Sequence, residues 1–184
     1  ALQGIGKAIM NRLEKAAGHT RISAQAVMKY QKYRRIVFLS DADTCRGPMA
    51  AEMLRHKDLR QEYAIDSRGL VVLFPEPVNQ KAEAVMKSAQ MTMEEHTATA
   101  FSENDVAEDI LILAMCESEK EKVQTEYGEA AKVFTLSEFI GEELEIPNPY
   151  GQPLNAYGEC MERLTEAIDK LAETLNKDAS FEEV

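Results

Sequence analysis

The sequence has no tryptophan, only three cysteines, and no apolar run near the length of a membrane span. A spanning helix needs about 18 or more consecutive apolar residues, so we expect no membrane partner. The cysteines (Cys45, Cys116 and Cys160) are odd in number and lack metal-ligand spacing. That pattern favours reduced thiols over a disulfide framework, and the first residues lack the pattern of a secretory signal. Together these features predict a cytoplasmic protein.

Basic residues are scarce beyond the beginning of the chain. Residues 1–35 hold eight lysines and arginines against one glutamate, out of totals of 21 basic and 32 acidic residues, which leaves 13 basic and 31 acidic residues in the rest. An acidic body disfavours nucleic acid over most of its surface, so we expect no nucleic-acid partner. Although a basic segment can also bind nucleic acid or anionic lipid, we favour its contact with the acidic body of the same chain or of a neighbour. Self-association through this segment is therefore expected.

The length of 184 residues suits one domain with a sizeable core. Apolar spacing predicts a basic helical arm at residues 1–34, a body at 35–177 and an acidic tail at 178–184. Short apolar runs predict strands at 36–39, 63–66 (ending at 67–69), 110–115 and 132–135, with helices between them and a long final helix. Pro48 suits the first position of the helix after the first strand. Strands that alternate with helices predict an α/β fold, a four-stranded parallel sheet flanked by helices.

A polar turn at residues 40–47 joins the first predicted strand to a helix. Backbone N–H groups at such a junction, together with the helix dipole, form an anion site. Arg46 lies where its guanidinium can hold two phosphate oxygens at once. A turn with one arginine is by itself weak evidence for a phosphate site, so the assignment depends on the surrounding sequence.

That surrounding sequence resembles a known family. Residues 38–50, FLSDADTCRGPMA, resemble the phosphate loop of the low-molecular-weight protein tyrosine phosphatases, roughly V-C-x-G-N-x-C-R-S-P-M-A. Further matches follow in order: 67–69 resembles S-A-G, 113–115 the end of the third strand, and 133–139 the bacterial members that act on phosphoarginine. Residues 148–151 fall where those enzymes carry D-P-[FY]-G. The resemblance covers about residues 35–177 and implies the fold of that family with no cofactor.

The resemblance also assigns roles to positions where this chain departs from the family. Ser40 stands at the nucleophilic cysteine, Arg46 at the phosphate-binding arginine, and Asn148 at the aspartate that protonates the leaving group. A serine hydroxyl needs a neighbouring base, and asparagine has no proton to give at neutral pH. Loss of a general acid alone costs about 10²–10⁴-fold in rate. Gly47 replaces the hydroxyl that follows the arginine, and Tyr150 stands at the pocket wall.

Two carboxylates in the loop are expected to weaken phosphate binding. Ala42-Asp43 stands where the family has Gly-Asn, which alters a permissive backbone position and a bracing amide. Two unit charges about 5 Å apart repel by roughly 3 kcal/mol at an effective dielectric constant of about 20. We therefore expect Arg46 to pair with Asp43 or Asp41, leaving the pocket self-occupied. The remaining members of the phosphate loop are Thr44, Cys45 and Gly47.

Three other interpretations of the loop stay open. The D-x-D pattern also resembles Mg²⁺-dependent haloacid-dehalogenase-type phosphatases, although Cys45 stands at their threonine position. Asp41 and Asp43 could bind Mg²⁺ weakly. Cys45 could act as a displaced nucleophile, but we favour a small buried apolar role for it and for the other two cysteines. The three histidines, which are His19, His56 and His96, are interpreted as surface residues.

The sequence favours a catalytically impaired phosphatase-like protein, a pseudophosphatase, that acts as a binding or regulatory module for a protein partner, phosphorylated or not. The alternative is a weak or specialised protein phosphatase that hydrolyses phosphotyrosine or phosphoarginine. Thr44 resembles the loop residue of the arginine-phosphatase branch. The labile P–N bond of phosphoarginine also depends less on a strong general acid. A third interpretation is a purely structural role through the basic arm.

Overall fold

The computed structural model describes residues 33–179. The helical arm predicted at residues 1–34 lies outside this range except for its last two residues, and the predicted acidic tail lies outside it after residue 179. Within the described range, no helix has the length and apolar composition required to cross a bilayer.

Four strands alternate with helices along residues 33–179. The longer elements are β1 (Arg35–Ser40), α1 (Arg46–Arg55), β2 (Ala64–Gly69), α2 (Gln80–Ser88), β3 (Ile110–Ala114), α3 (Glu117–Tyr127), β4 (Lys132–Thr135), α4 (Leu136–Phe139) and α5 (Leu154–Ala179), with 3₁₀ turns at Glu103–Asp105 and Gly128–Ala130. All neighbouring strands pair in parallel, in the order β2-β1-β3-β4. This arrangement confirms the predicted four-stranded parallel sheet flanked by helices.

The central strands β1 and β3 are buried on both faces, which explains why each is a continuous apolar run. Successive side chains of β1 point to opposite sides: Ile36 and Phe38 join the core beneath α1, α2 and α5, whereas Val37 and Leu39 join the core beneath α3. Helices therefore pack on both faces of β1. The residues that follow it are held at the carboxyl edge of the sheet, where ligands of open parallel sheets bind.

Two element boundaries differ from the sequence predictions. Helix α1 begins at Arg46, so Pro48 is its third residue; this is tolerated because N–H groups in the first turn have no intrahelical acceptor. Strand β2 begins at Ala64, one residue after the predicted start, and it ends at Gly69, in the predicted terminal segment 67–69. It is an edge strand, and its Asp66 carboxylate accepts a hydrogen bond from Nε of Arg35 at 2.7 Å.

Candidate active site

The carbonyls of the loop between β1 and α1 accept hydrogen bonds from neighbouring segments, whereas its amides have no acceptor among the described residues. Neighbouring N–H groups donate to three loop carbonyls: Leu70 to Ser40 at 2.9 Å, Val71 to Asp41 at 2.9 Å and Asn79 to Thr44 at 2.8 Å. Among the residues described, none accepts a hydrogen bond from the backbone N–H groups of 41–47, and α1 has no side-chain cap. Consecutive free amides at a helix N-terminus are a ready site for an anion. We call these amides the phosphate cradle; they are available to an anion, which the sequence predicted at this junction.

Ser40 lies at the base of this loop, as the last residue of β1. It is 3% exposed, and a Cβ placed on Gly47 would lie 3.0 Å from its Oγ. Its hydroxyl is thus packed against the first turn of α1. Within the described part of the chain, the Ser40 hydroxyl has no hydrogen bond to a basic side chain. The structure therefore places a hydroxyl at the family's nucleophile position without a paired general base.

Two partners bind Arg46 through three hydrogen bonds, and two of its donors have no acceptor within residues 33–179. Its Nη1 and Nη2 donate to Oε1 and Oε2 of Glu119 at 3.1 and 3.2 Å, and Nη1 also donates to the carbonyl of Ile146 at 3.0 Å. A guanidinium has five N–H donors, so these bonds leave Nε–H and one Nη2–H. Those two form a side-on fork suited to two phosphate oxygens. The geometry therefore makes Glu119 a partner that orients Arg46.

Glu119 is the functional residue that the sequence interpretation missed. It lies in the first turn of α3, after β3, and is 1% exposed. Burial raises the pKa of Glu119, and the guanidinium of Arg46 opposes that rise. The Cys116 thiol donates to its Oε1 at 2.8 Å. The available signal was an acidic residue just beyond a central parallel strand, because such strand ends meet at one edge of the sheet.

The predicted pairing of Arg46 with an aspartate is correct only for Asp41. The Oδ2 atom of Asp41 lies 3.7 Å from Nη2 of Arg46, an ion pair beyond hydrogen-bond length. Asp43 instead points away: its Oδ2 accepts the backbone N–H of Thr99 at 2.9 Å and lies 3.3 Å from Nε2 of His96. The expectation for Asp43 was wrong because its backbone adopts a left-handed conformation, with φ of 58°, which turns the side chain behind the loop.

Asp43 and His96 brace the loop from behind. Nε2 of His96 also contacts the carbonyl of Asp43 at 2.8 Å, and its side chain is 19% exposed. Burial lowers the pKa of His96, but the hydrogen bond and charge of Asp43 outweigh it and raise that pKa overall. The interpretation of His96 as a surface residue was therefore wrong, whereas His56 is exposed and contacts Glu52. His19 lies outside the described residues.

Gly69 is required by the close approach of β2 to the phosphate loop. A Cβ on this residue would lie 2.8 Å from the carbonyl carbon of Ala42 and 2.9 Å from the nitrogen of Asp43. Such distances to backbone atoms cannot be relieved by a side-chain rotation. Packing explains why a glycine ends the 67–69 motif.

Cys45 does not have the environment of a displaced nucleophile. Its interaction with the Cys160 thiol, followed by burial, raises the pKa of Cys45, and the charge of Arg46 only partly opposes this. Its Sγ also contacts Sδ of Met49 at 3.8 Å. A thiol with a raised pKa supplies little thiolate, so these contacts favour the small apolar role.

Asn148 reaches the loop from far along the chain. Its Nδ2 lies 3.5 Å from Oδ2 of Asp41, and its Oδ1 accepts the backbone N–H of Tyr150 at 3.2 Å. Tyr150 is 78% exposed at the same loop. The structure thus brings the predicted leaving-group position to the mouth of the cradle, with an amide in place of the acid.

The two loop aspartates do not share a metal site. One carboxylate is exposed beside Arg46 and the other is buried against His96, so they lie on opposite sides of the loop. Across residues 33–179, no group of three or more His, Cys, Asp or Glu side chains is placed to hold a metal ion. The geometry gives no support to a Mg²⁺ site built on these two carboxylates.

Comparison with known proteins gives one consistent picture. Residues 35–181 match the family model for low molecular weight phosphotyrosine protein phosphatase. The low molecular weight protein-tyrosine-phosphatase PtpB of Staphylococcus haemolyticus is 32% identical over 122 residues, covering 66% of this chain and 86% of that protein. The YwlE arginine phosphatase from Geobacillus stearothermophilus is 29% identical with a TM-score of 0.75, over 82% of this chain and 97% of that chain.

A second YwlE arginine phosphatase structure carries a cysteine-to-serine change and a phosphorylated active-site serine. It is 26% identical to this chain with a TM-score of 0.71, over 78% of this chain and 97% of that chain.

Proposed function

Because this chain belongs to the low molecular weight phosphotyrosine protein phosphatase family, in its bacterial arginine-phosphatase-like branch, we propose that it is a slow, specialised phosphatase of phosphotyrosine or phosphoarginine in proteins. The observation that carries the proposal is the phosphate cradle. The amides of residues 41–47 lack acceptors within the described range, and Arg46 keeps two donors after Glu119 and Ile146 are satisfied. These groups complement the oxygens of a phosphoryl group.

The first chemical step is phosphoryl transfer to Ser40. A bond forms between Oγ of Ser40 and phosphorus, and the P–O or P–N bond of the substrate breaks. The hydroxyl proton of Ser40 passes to solvent, and the leaving group takes a proton from water because Asn148 has none to give. The YwlE variant with a phosphorylated serine supports such a step at this position.

The second step, attack of water on phosphoserine, limits turnover. A serine alkoxide is a poorer leaving group than a thiolate, and this slows the second step; the missing acid slows the first step by about 10²–10⁴-fold. The loop amides and Arg46 stabilise the negative charge of the phosphoryl group during its transfer, and this needs neither a thiolate nor a general acid. We therefore expect slow modification of Ser40, followed by still slower release of phosphate from it.

The test is a time course of phosphate release from p-nitrophenyl phosphate and from a phosphoarginine peptide, with intact-mass measurement of the protein. The proposal predicts slow release and a phosphorylated fraction that maps to Ser40. Arg46→Met should abolish both signals, whereas Arg60→Met, which changes an exposed arginine, should not. If the unaltered protein shows no phosphate release and no mass increase, catalysis is refuted.

A non-catalytic binding module is the second candidate. Asn148 and the unassisted hydroxyl of Ser40 favour it, because both halves of the family's chemistry are weakened. It predicts that a phosphopeptide binds with dependence on Arg46 while no phosphate is released. The same time course, run beside a binding measurement, separates the two candidates.

The setting of this activity is also a proposal. The odd cysteine count supports a cytoplasmic protein, and phosphorylated proteins are the partners that the cradle suits. Self-association through residues 1–34 remains a proposal based on the charge contrast between that segment and the acidic body. Light scattering of the full chain and of a chain without residues 1–34 tests it.

A further inference from the structure

We propose that Asp41 selects phosphoarginine over phosphotyrosine by accepting a hydrogen bond from the guanidino group of the substrate. This inference rests on the proposed function and names the substrate class of that site. Asp41 would act as a specificity-determining residue, while Arg46 and the loop amides hold the phosphoryl group.

The position of Asp41 at the mouth of the cradle is the first argument. Its side chain is 56% exposed, whereas those of its neighbours Ser40 and Asp43 are buried. Its Oδ2 lies 3.7 Å from Nη2 of Arg46 and 3.5 Å from Nδ2 of Asn148. The carboxylate thus stands between the group that holds phosphate and the residue at the leaving-group position.

The loop backbone fixes this placement. The carbonyl of Asp41 accepts the N–H of Val71 at 2.9 Å, so the main chain of Asp41 is tied to the segment that follows β2. Ser40, the residue before it, is anchored in the sheet and bonded by Leu70. Because hydrogen bonds fix the backbone at both Ser40 and Asp41, only rotation of its side chain moves the Asp41 carboxylate over the cradle.

The chemistry of the two substrates supplies the second argument. A phosphorylated guanidino group keeps N–H donors in a fixed planar arrangement, and these form charge-assisted bonds with a carboxylate. The ring of phosphotyrosine has no donor to offer. With that substrate, the carboxylate of Asp41 only repels the phosphoryl charge beside Arg46.

The two effects act in opposite directions on the two substrates. A hydrogen bond to a charged group is worth about ten- to a hundredfold in affinity, and exposure of Asp41 reduces this to about fivefold. Replacing the carboxylate with an amide should therefore weaken the interaction with phosphoarginine by about that factor. It should strengthen the interaction with phosphotyrosine by relieving repulsion.

The experiment uses two peptides of identical sequence that differ only in carrying phosphoarginine or phosphotyrosine. Fluorescence anisotropy gives the affinity of each peptide, and phosphate release gives kcat/KM, for the unaltered chain, Asp41→Asn and the exposed control Asp58→Asn. We expect Asp41→Asn to lower the preference for phosphoarginine about tenfold or more, because the change weakens the interaction with phosphoarginine and strengthens the interaction with phosphotyrosine. Asp58→Asn should leave the preference unchanged.

Each outcome decides the inference. An unchanged preference in Asp41→Asn overturns it while leaving the proposed function intact. Equal losses on both peptides also overturn it, because that result indicates a proton donor or a structural role. If binding is selective and sensitive to Asp41 but no phosphate is released, the selectivity holds and catalysis fails. If the unaltered chain neither binds nor hydrolyses either peptide, both ideas fail.

Discussion

Glu119→Gln tests whether the buried ion pair with Arg46 holds the site together. Glu119 and Arg46 are 1% and 3% exposed and share two hydrogen bonds. Removal of one partner from a buried pair costs about 3–5 kcal/mol. The Ile146 carbonyl and the Asp41 carboxylate remain near the guanidinium, so we expect the lower end, about 3 kcal/mol.

This loss can be measured by urea unfolding followed by circular dichroism. With urea m-values of about 1–3 kcal/mol per molar, the midpoint should fall by about 1–3 M. The matched control is Glu173→Gln, which changes an exposed glutamate on α5. Equal midpoints for the two variants would refute the structural role of Glu119.

Phosphate supplies a second test on the same variant. A ligand at about 100 times its dissociation constant stabilises the folded state by about 2.7 kcal/mol. An anion at Arg46 replaces part of the missing charge in Glu119→Gln, so phosphate should stabilise this variant more than the unaltered chain. If phosphate stabilises neither protein, the fork left on Arg46 does not bind anions.

Three further predictions concern the loop and its chemistry. Because the pKa of His96 is raised in the folded state, protonation of His96 stabilises the fold fully below its unfolded pKa of about 6.5. This stabilisation is lost as the pH rises through the folded-state pKa, so the free energy of unfolding should fall across that window. His96→Gln should remove this pH dependence. Gly69→Ala should cost about 1–3 kcal/mol in urea unfolding by displacing the loop backbone, whereas Gly158→Ala, where a Cβ meets nothing within 4 Å, should not destabilise. Ser40→Cys combined with Asn148→Asp should raise p-nitrophenyl phosphate turnover by about 10²-fold or more. A folded double variant without any gain would show that restoring these two groups does not restore phosphatase activity.

The sheet and the phosphate loop could be read from the sequence because their signals are local. Strand β1 is a continuous apolar run, and the loop that follows carries the family pattern in consecutive residues. The ends of elements were less certain. Helix α1, for example, was predicted to begin at Pro48 and begins at Arg46.

The partners of the loop could not be read in the same way. Glu119 is 73 residues from Arg46, and His96 is 53 residues from Asp43. Neither pair has a sequence signature, because their meeting depends on the crossovers that bring strand ends to one edge of the sheet. The left-handed backbone at Asp43 was also hidden, and it decided which aspartate faces Arg46.

Isothermal titration of orthophosphate into the purified chain tests the central claim most directly. The free amides of residues 41–47 and the two remaining donors of Arg46 predict saturable binding at one site, lost in Arg46→Met and retained in Arg60→Met. Heats no larger than dilution, or binding that is indifferent to Arg46→Met, would contradict a working phosphate cradle.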